Sequence, residues 1–197
     1  PEESRSRAQL KVGHLFYGAG EHDKAIAEYQ KFVQMFPNNE LVTNALYQTS
    51  VSHYQIGQNS ADQQTKQLAF QNTVGTAMQV IERNPDVDAA ISAHYTMGLA
   101  KSGLNDNAGA IEAFRKTTSY EGQTKDEARQ DLIRQSHSRL AELNTTVGDH
   151  MAAVQEYQYV IQHTDKEDLK GRSFFAMAFA QDEHLKEYDD ALLNYQN

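Results

Sequence analysis

Between Gly20 and Pro37 apolar side chains recur every three or four residues. Ala25, Tyr29, Phe32 and Phe36 fall on one helical face, with charged and amide residues between them. The spacing predicts a helix that begins after a turn at Gly20 and stops at Pro37. Asp23 lies in its first turn, where a negative charge suits the positive end of the helix dipole. Upstream, Val12, Gly13 and Phe16 predict an earlier helix, so 6–39 reads as one helix–turn–helix unit.

The same unit returns down the chain. A second, 43–87, carries Leu46, Thr49, Ser50, His53 and Gly57 at the corresponding positions. Its polar stretch Gln58–Thr65 reads as an insertion, followed by a helix to about Arg83 and a closing Pro85. The third, 91–122, sets Tyr95-Thr-Met-Gly-Leu-Ala100 and Ala110-Ile-Glu-Ala-Phe114 on either side of a turn at Asn105-Asp106. Thr124 and Glu127 predict a capping box for the helix that follows. The fourth, 134–165, supplies His137, Leu140-Ala141, Gly148-Asp149, Ala153, Tyr157 and Val160. The fifth, 172–197, supplies Phe175, Ala178, Tyr188, Ala191 and Tyr195, and is cut off inside its second helix. No sustained period-two alternation competes with these helices.

This pattern resembles the tetratricopeptide repeat family. That family places a large residue, Leu-Gly and Tyr on its first helix, then Ala, an aromatic and Ala on its second, before a closing Pro. Gly13, Phe16, Ala25, Tyr29, Phe32 and Pro37 carry the resemblance in the first unit, and Met97-Gly98 with Ala110–Phe114 carry it in the third, the cleanest of the five. Thr49-Ser50 and Lys101 depart from it. The small-residue position falls at Ala25, Thr73, Ala110, Ala153 and Ala191, in steps of 48, 37, 43 and 38 residues. The family period is about 34. The resemblance implies an all-α, right-handed α-solenoid of about five repeats, a single array over 1–197. A narrower likeness lies in Phe36-Pro-Asn-Asn-Glu-Leu-Val-Thr-Asn-Ala45, which is similar to repeat junctions in bacterial envelope proteins of this family. Among these are the periplasmic coordinator linked to the Tol–Pal system and the lipoprotein of the outer-membrane barrel assembly machine.

Composition narrows the functional classes. A net charge of −9 argues against non-specific nucleic-acid binding. No run of 18 apolar residues exists, so no membrane span is expected. The start lacks an initiator Met and an apolar signal core, and reads as an excised or processed segment. The absence of cysteine excludes disulfides, thiolate zinc sites and cysteine nucleophiles. Eight histidines form no paired metal motif; His53, His94 and His137 fall at packing positions. No phosphate-binding glycine loop and no nucleophile elbow appear. No cofactor and no catalysis are therefore expected. Asn144-Thr-Thr146 matches a glycosylation sequon but lies in a predicted helix and is discounted.

The resemblance implies a concave groove lined by first-helix residues that face away from the second helix. Mapping the repeats gives His14 and Tyr17, then Tyr47 and Tyr54, then Tyr95 and Leu99, with Leu10, Ser92, Ser173 and Ala180 on the same face. Tyrosine combines apolar area with a hydroxyl at low rotamer cost, which suits peptide recognition; packing against the next repeat is the competing reading. Relatives that grip a terminal carboxylate use Lys, Arg and Asn in the groove. Here that lining holds no Lys, so a neutral or mildly apolar segment is the better expectation. The reading is a non-catalytic scaffold that holds a peptide or partner protein in its concave face. The assembly would belong to a bacterial envelope, in the periplasm, with the cytoplasm as the alternative location. Two other functions stay open: a self-association module acting through Leu192, Leu193 and Tyr195 of the last helix, and the adaptor segment of a larger enzyme.

Overall fold

The computed structural model describes residues 2–83 and 85–197. Pro1, read above as the start of a processed segment, and Asn84, inside the expected second repeat, lie outside the described residues. Among the described residues there are ten α-helices and no strand. They are α1 Glu2–Gly18, α2 His22–Met35, α3 Val42–Asn59, α4 Gln63–Glu82, α5 Val87–Gly103, α6 Asn107–Thr118, α7 Glu127–Val147, α8 His150–His163, α9 Glu167–Phe179 and α10 Tyr188–Tyr195. A π-helical segment, Ala180–Leu185, extends α9. The chain divides into two compact units, one ending at Ala113 and the other running from Phe114 to Asn197, so the boundary falls inside α6.

The turns within hairpins share one chemical signature. A residue in the left-handed backbone region is followed by an acidic residue that opens the next helix: Gly20-Glu21, Asn105-Asp106, Gly148-Asp149 and Lys186-Glu187. In the first three, the acidic residue's N–H reaches back five residues, to the carbonyls of Phe16, Lys101 and Asn144. This is the Schellman arrangement, which satisfies carbonyls that a helix end leaves unpaired. In the fourth, Glu187 N–H reaches back six residues, to Gln181, because the π segment holds one more residue per turn. Lys186 Nζ donates to the Asp182 and Glu183 carbonyls that this widening frees. The second hairpin lacks the signature. Gln58–Thr65 is not an insertion but the end of α3, a short bend and the start of α4, whose N-cap is Asp62. The extra length of that repeat lies in its helices, 18 and 20 residues long.

In the first unit, aromatic rings occupy the space that glycines leave. Tyr29, fully buried on α2, lies against Gly13 of α1 so closely that a Cβ there would overlap its ring. Phe70 of α4 does the same to Gly57 of α3, where a Cβ would sit 2.6 Å from the ring, and also to Gly103 of α5. Further from the turn, Ser50 Oγ donates to the Thr73 carbonyl at 3.2 Å, and both residues are buried. Ala25, Phe32, Val42 and Ala45 complete the core around α2 with no exposed surface, as the opening periodicity required. Burying a ring of this size contributes about 2–3 kcal/mol.

In the second unit, α8 packs against α7 and α9, and α9 against α10. The residues between them are small or aliphatic: Ile133, Leu140, Ala141, Ala153, Val160, Met177, Ala178 and Ala191. The α7 cap differs from the expected Thr124–Glu127 box. Asp126 caps the helix, its Oδ1 accepting from Arg129 N–H at 2.9 Å, and Thr124 Oγ1 instead accepts from Asp126 N–H. A carboxylate one residue before the helix reaches the free N–H groups better than a hydroxyl three residues away. Asn144 is 1% exposed inside α7, which closes its sequon to modification.

Candidate functional site

The six side chains expected to meet a ligand in the groove sit on first helices of the first unit. His14 and Tyr17 are on α1, Tyr47 and Tyr54 on α3, Tyr95 and Leu99 on α5. Helix α3 packs against α2, α4 and α5, so the second and third sets are neighbours. Tyr17 and Tyr47 come together across the first two. Burial, and then the nearby Tyr47, push the Tyr17 phenol above its ordinary value, while a hydrogen bond with the Gln55 side chain acts the other way. Tyr29 beneath them is pushed up to about 12, first by burial and then by Tyr17.

Exposure separates the six residues. His14 is exposed, with its ring edge-on to Tyr29 at 5.6 Å. Tyr17, Tyr47, Tyr54 and Leu99 are half-buried. Tyr17 meets the His22 ring at 5.2 Å and Tyr54 meets Phe70 at 5.7 Å. These side chains rest one edge on the core and present the other. Tyr95 is 9% exposed, and most of its surface is committed to packing. Leu10, Ser92, Ser173 and Ala180, placed on the same face, are buried as well, Leu10 within the first core cluster.

The histidines at packing positions are half-buried. Burial lowers the His53 pKa, and Asp23 of α2 opposes that shift. His137 Nδ1 lies 2.6 Å from Glu156 Oε2. A carboxylate only accepts, so Nδ1 carries the proton. Among the described residues no three His, Asp or Glu side chains converge to hold a metal ion, and no helix is long and apolar enough to cross a membrane.

A second feature escaped the periodicity. On α8, Tyr159 stacks on His137 of α7 at 3.5 Å and on His163 at 4.0 Å, forming a three-ring column. The Tyr159 hydroxyl donates a hydrogen bond to Glu121, and burial followed by that contact raises its pKa. Beside the column lies a cavity of about 320 Å³ between α7, the end of α8 and the start of α9. Gln135 and Ser138 of α7 line it. The spacing of Tyr159 and His163 on one helical face was the available signal, but nothing in the sequence joins that face to α7.

Comparison with known proteins agrees with this architecture. Residues 7–39 match the sequence profile of a tetratricopeptide repeat. No curated protein matches the chain by sequence. Among solved structures, a crystal structure of MamA protein aligns with TM-score 0.68 and 17% identity, over 97% of this chain and 92% of that one. The nearly identical TPR-like repeats of a kinesin light chain candidate from Podosopora anserina align with TM-score 0.63 and 13% identity, over 100% and 93%. The TPR2AB domain of yeast Sti1, solved as a complex with pHSP90, aligns with TM-score 0.53 and 19% identity, over 98% and 75%. At these identities the likeness is one of fold. The sequence match to a tetratricopeptide repeat covers 7–39, and beyond it the chain shares with these structures an all-α fold built of successive helix hairpins.

Proposed function

We propose that the chain is a non-catalytic scaffold that holds a peptide or partner protein along the concave face formed by its first helices. The observation that carries this reading is the row of half-buried aromatic side chains on α1 and α3: Tyr17, Tyr47 and Tyr54 keep part of their surface exposed. Such residues offer contact area with little rotamer entropy left to lose. The repeat fold supports a protein-interaction role, and a fold neighbour solved as a complex with pHSP90 is consistent with peptide capture. The junction Phe36–Ala45 supports placing the assembly in a bacterial envelope; fractionation of native cells for the protein tests that location.

The test is capture from a native extract by the immobilised chain and by a Tyr47→Ala, Tyr54→Ala double variant. The variant should keep its helical circular-dichroism spectrum and lose the proteins that the parent retains. Retention of the same set by a folded variant overturns the groove assignment. Tyr95→Ala is a poor probe, because truncating a nearly buried ring changes packing as well as surface.

A second reading rests on the last hairpin. Leu192, Leu193 and Phe175 are 60%, 61% and 63% exposed, and Tyr195 meets Phe175 edge-on at 5.8 Å. An apolar face of this kind supports end-to-end self-association. Light scattering across a hundredfold concentration range decides: a constant monomer mass removes this reading.

A further inference from the structure

The cavity beside the Tyr159 column has a sign and a shape of its own. Part of its lining is apolar and aromatic: Val160, Leu169 and the stacked rings of Tyr159 and His163. Its rim carries three carboxylates, Glu127, Asp131 and Asp165, against two cations, Arg134 and Lys166. Arg134 is already committed, with Nη2 at 2.8 Å from Glu127 Oε1 and 3.5 Å from Asp131 Oδ1. Gln135 Nε2 donates to Asp131 Oδ2 at 2.6 Å, which holds that carboxylate at the mouth. Asp165 is exposed in the turn before α9 and has no ion pair among the described residues. His163 Nδ1 lies 2.8 Å from the Tyr159 carbonyl; a carbonyl only accepts, so this nitrogen carries the proton and the ring stays in register with the column.

A π face beside a rim with more carboxylates than cations is the arrangement that recognises a cation on an apolar stem. The charge balance disfavours an anion, since Glu121 beneath Tyr159 adds a further carboxylate. We infer that this cavity receives a lysine or arginine side chain of a bound peptide, its stem over Val160, Leu169 and the ring column and its charged head among Glu127, Asp131 and Asp165. The inference rests on the scaffold reading and assigns the second unit its own specificity, for a basic residue. It also gives the surface charge of the chain a local use, because steering toward a partner's basic residue strengthens as salt is lowered.

The test is an amide-resolved NMR titration of the whole chain with Nα-acetyl-arginine methylamide, and in parallel with its neutral citrulline counterpart and with inorganic phosphate. Saturable shifts should cluster at Asp131, Ser138, His163 and Leu169. The citrulline probe should bind about tenfold more weakly, the loss expected when a charge-assisted contact becomes neutral. Asp165→Asn, which breaks no hydrogen bond of the fold, should weaken the arginine probe severalfold. Tyr159→Leu should weaken it while leaving the phosphate arm silent. Equal response to arginine and citrulline, a response to phosphate instead, or silence in the cavity overturns the inference. A silent cavity in a chain whose tyrosine-dependent capture persists overturns the cavity alone. A responsive cavity with capture indifferent to Tyr47 and Tyr54 overturns the groove reading alone.

Discussion

In the unit that ends at Ala113, aromatic rings of second helices are seated on glycines of first helices: Tyr29 on Gly13, and Phe70 on Gly57 and Gly103. In the unit that starts at Phe114, the helices meet through Leu140, Ala141, Ala153 and Val160, and most of the rings go elsewhere. Tyr159 stands in a stacked column tied to Glu121, while Phe175, Phe179 and Tyr188 are exposed. A ring seated on glycine is committed to packing and has little freedom to meet a partner. A ring left at the surface, or in a polar column, costs the core some burial and remains available. The difference sorts the aromatic residues of one repeat pattern into those that hold the array and those that can be used.

The largest test of this contrast is Phe70→Ala. It removes a buried ring from two seats at once and should cost about 3–5 kcal/mol in urea denaturation of the first unit. A loss below about 1 kcal/mol would mean that the seats are not what hold those helices. Next come two glycine substitutions with opposite signs. Gly57→Ala forces the Phe70 ring aside at a cost of about 1–3 kcal/mol, offset in part by about 1 kcal/mol of helix propensity. Gly171→Ala, on the open side of α9 with nothing within 4 Å, should stabilise the second unit by up to about 1 kcal/mol. Equal effects at the two positions would erase the contrast. Asp126→Ala should cost about 1 kcal/mol by uncapping α7, and Thr124→Ala less, both followed by thermal melting.

The smallest effect concerns pH. Burial lowers the His53 pKa in the folded chain, so the unfolded chain binds more protons between the two values. Stability from this residue is complete above the unfolded value of about 6.5, and falls as the pH drops through the lowered folded one. Asp23 limits the shift. His53→Gln should flatten that part of the stability–pH curve, as read from denaturation midpoints between pH 7 and pH 5.

Much of the fold was legible because the first repeat places its residues where packing needs them. Ala25, Tyr29 and Phe32 are fully buried, and Gly20 and Gly148 take the left-handed turn positions. Gln58–Thr65 misled because polar residues at the solvent-facing ends of long helices have the composition of a loop. Asp126 was passed over for Thr124 because several side chains there can accept from a helix N-terminus, and only geometry decides which one does. The expected groove was half legible. Periodicity puts Tyr17, Tyr54 and Tyr95 on matching faces, but burial of Tyr95 depends on how closely α5 meets its neighbours. The cavity beside Tyr159 was illegible, because its residues come from three helices with no shared period.

Phe70 also bears on how such a chain can change through time. Repeat arrays lengthen and recombine by gaining, losing or exchanging whole hairpins, which requires each hairpin to carry its own complementary parts. Phe70 belongs to the second hairpin and has one of its two seats, Gly103, in the third. A crossover between them would deliver a ring to a neighbour that has no place for it, or leave a glycine facing a void. Gly57, Phe70 and Gly103 must therefore be inherited together, which ties the second hairpin to the first helix of the third.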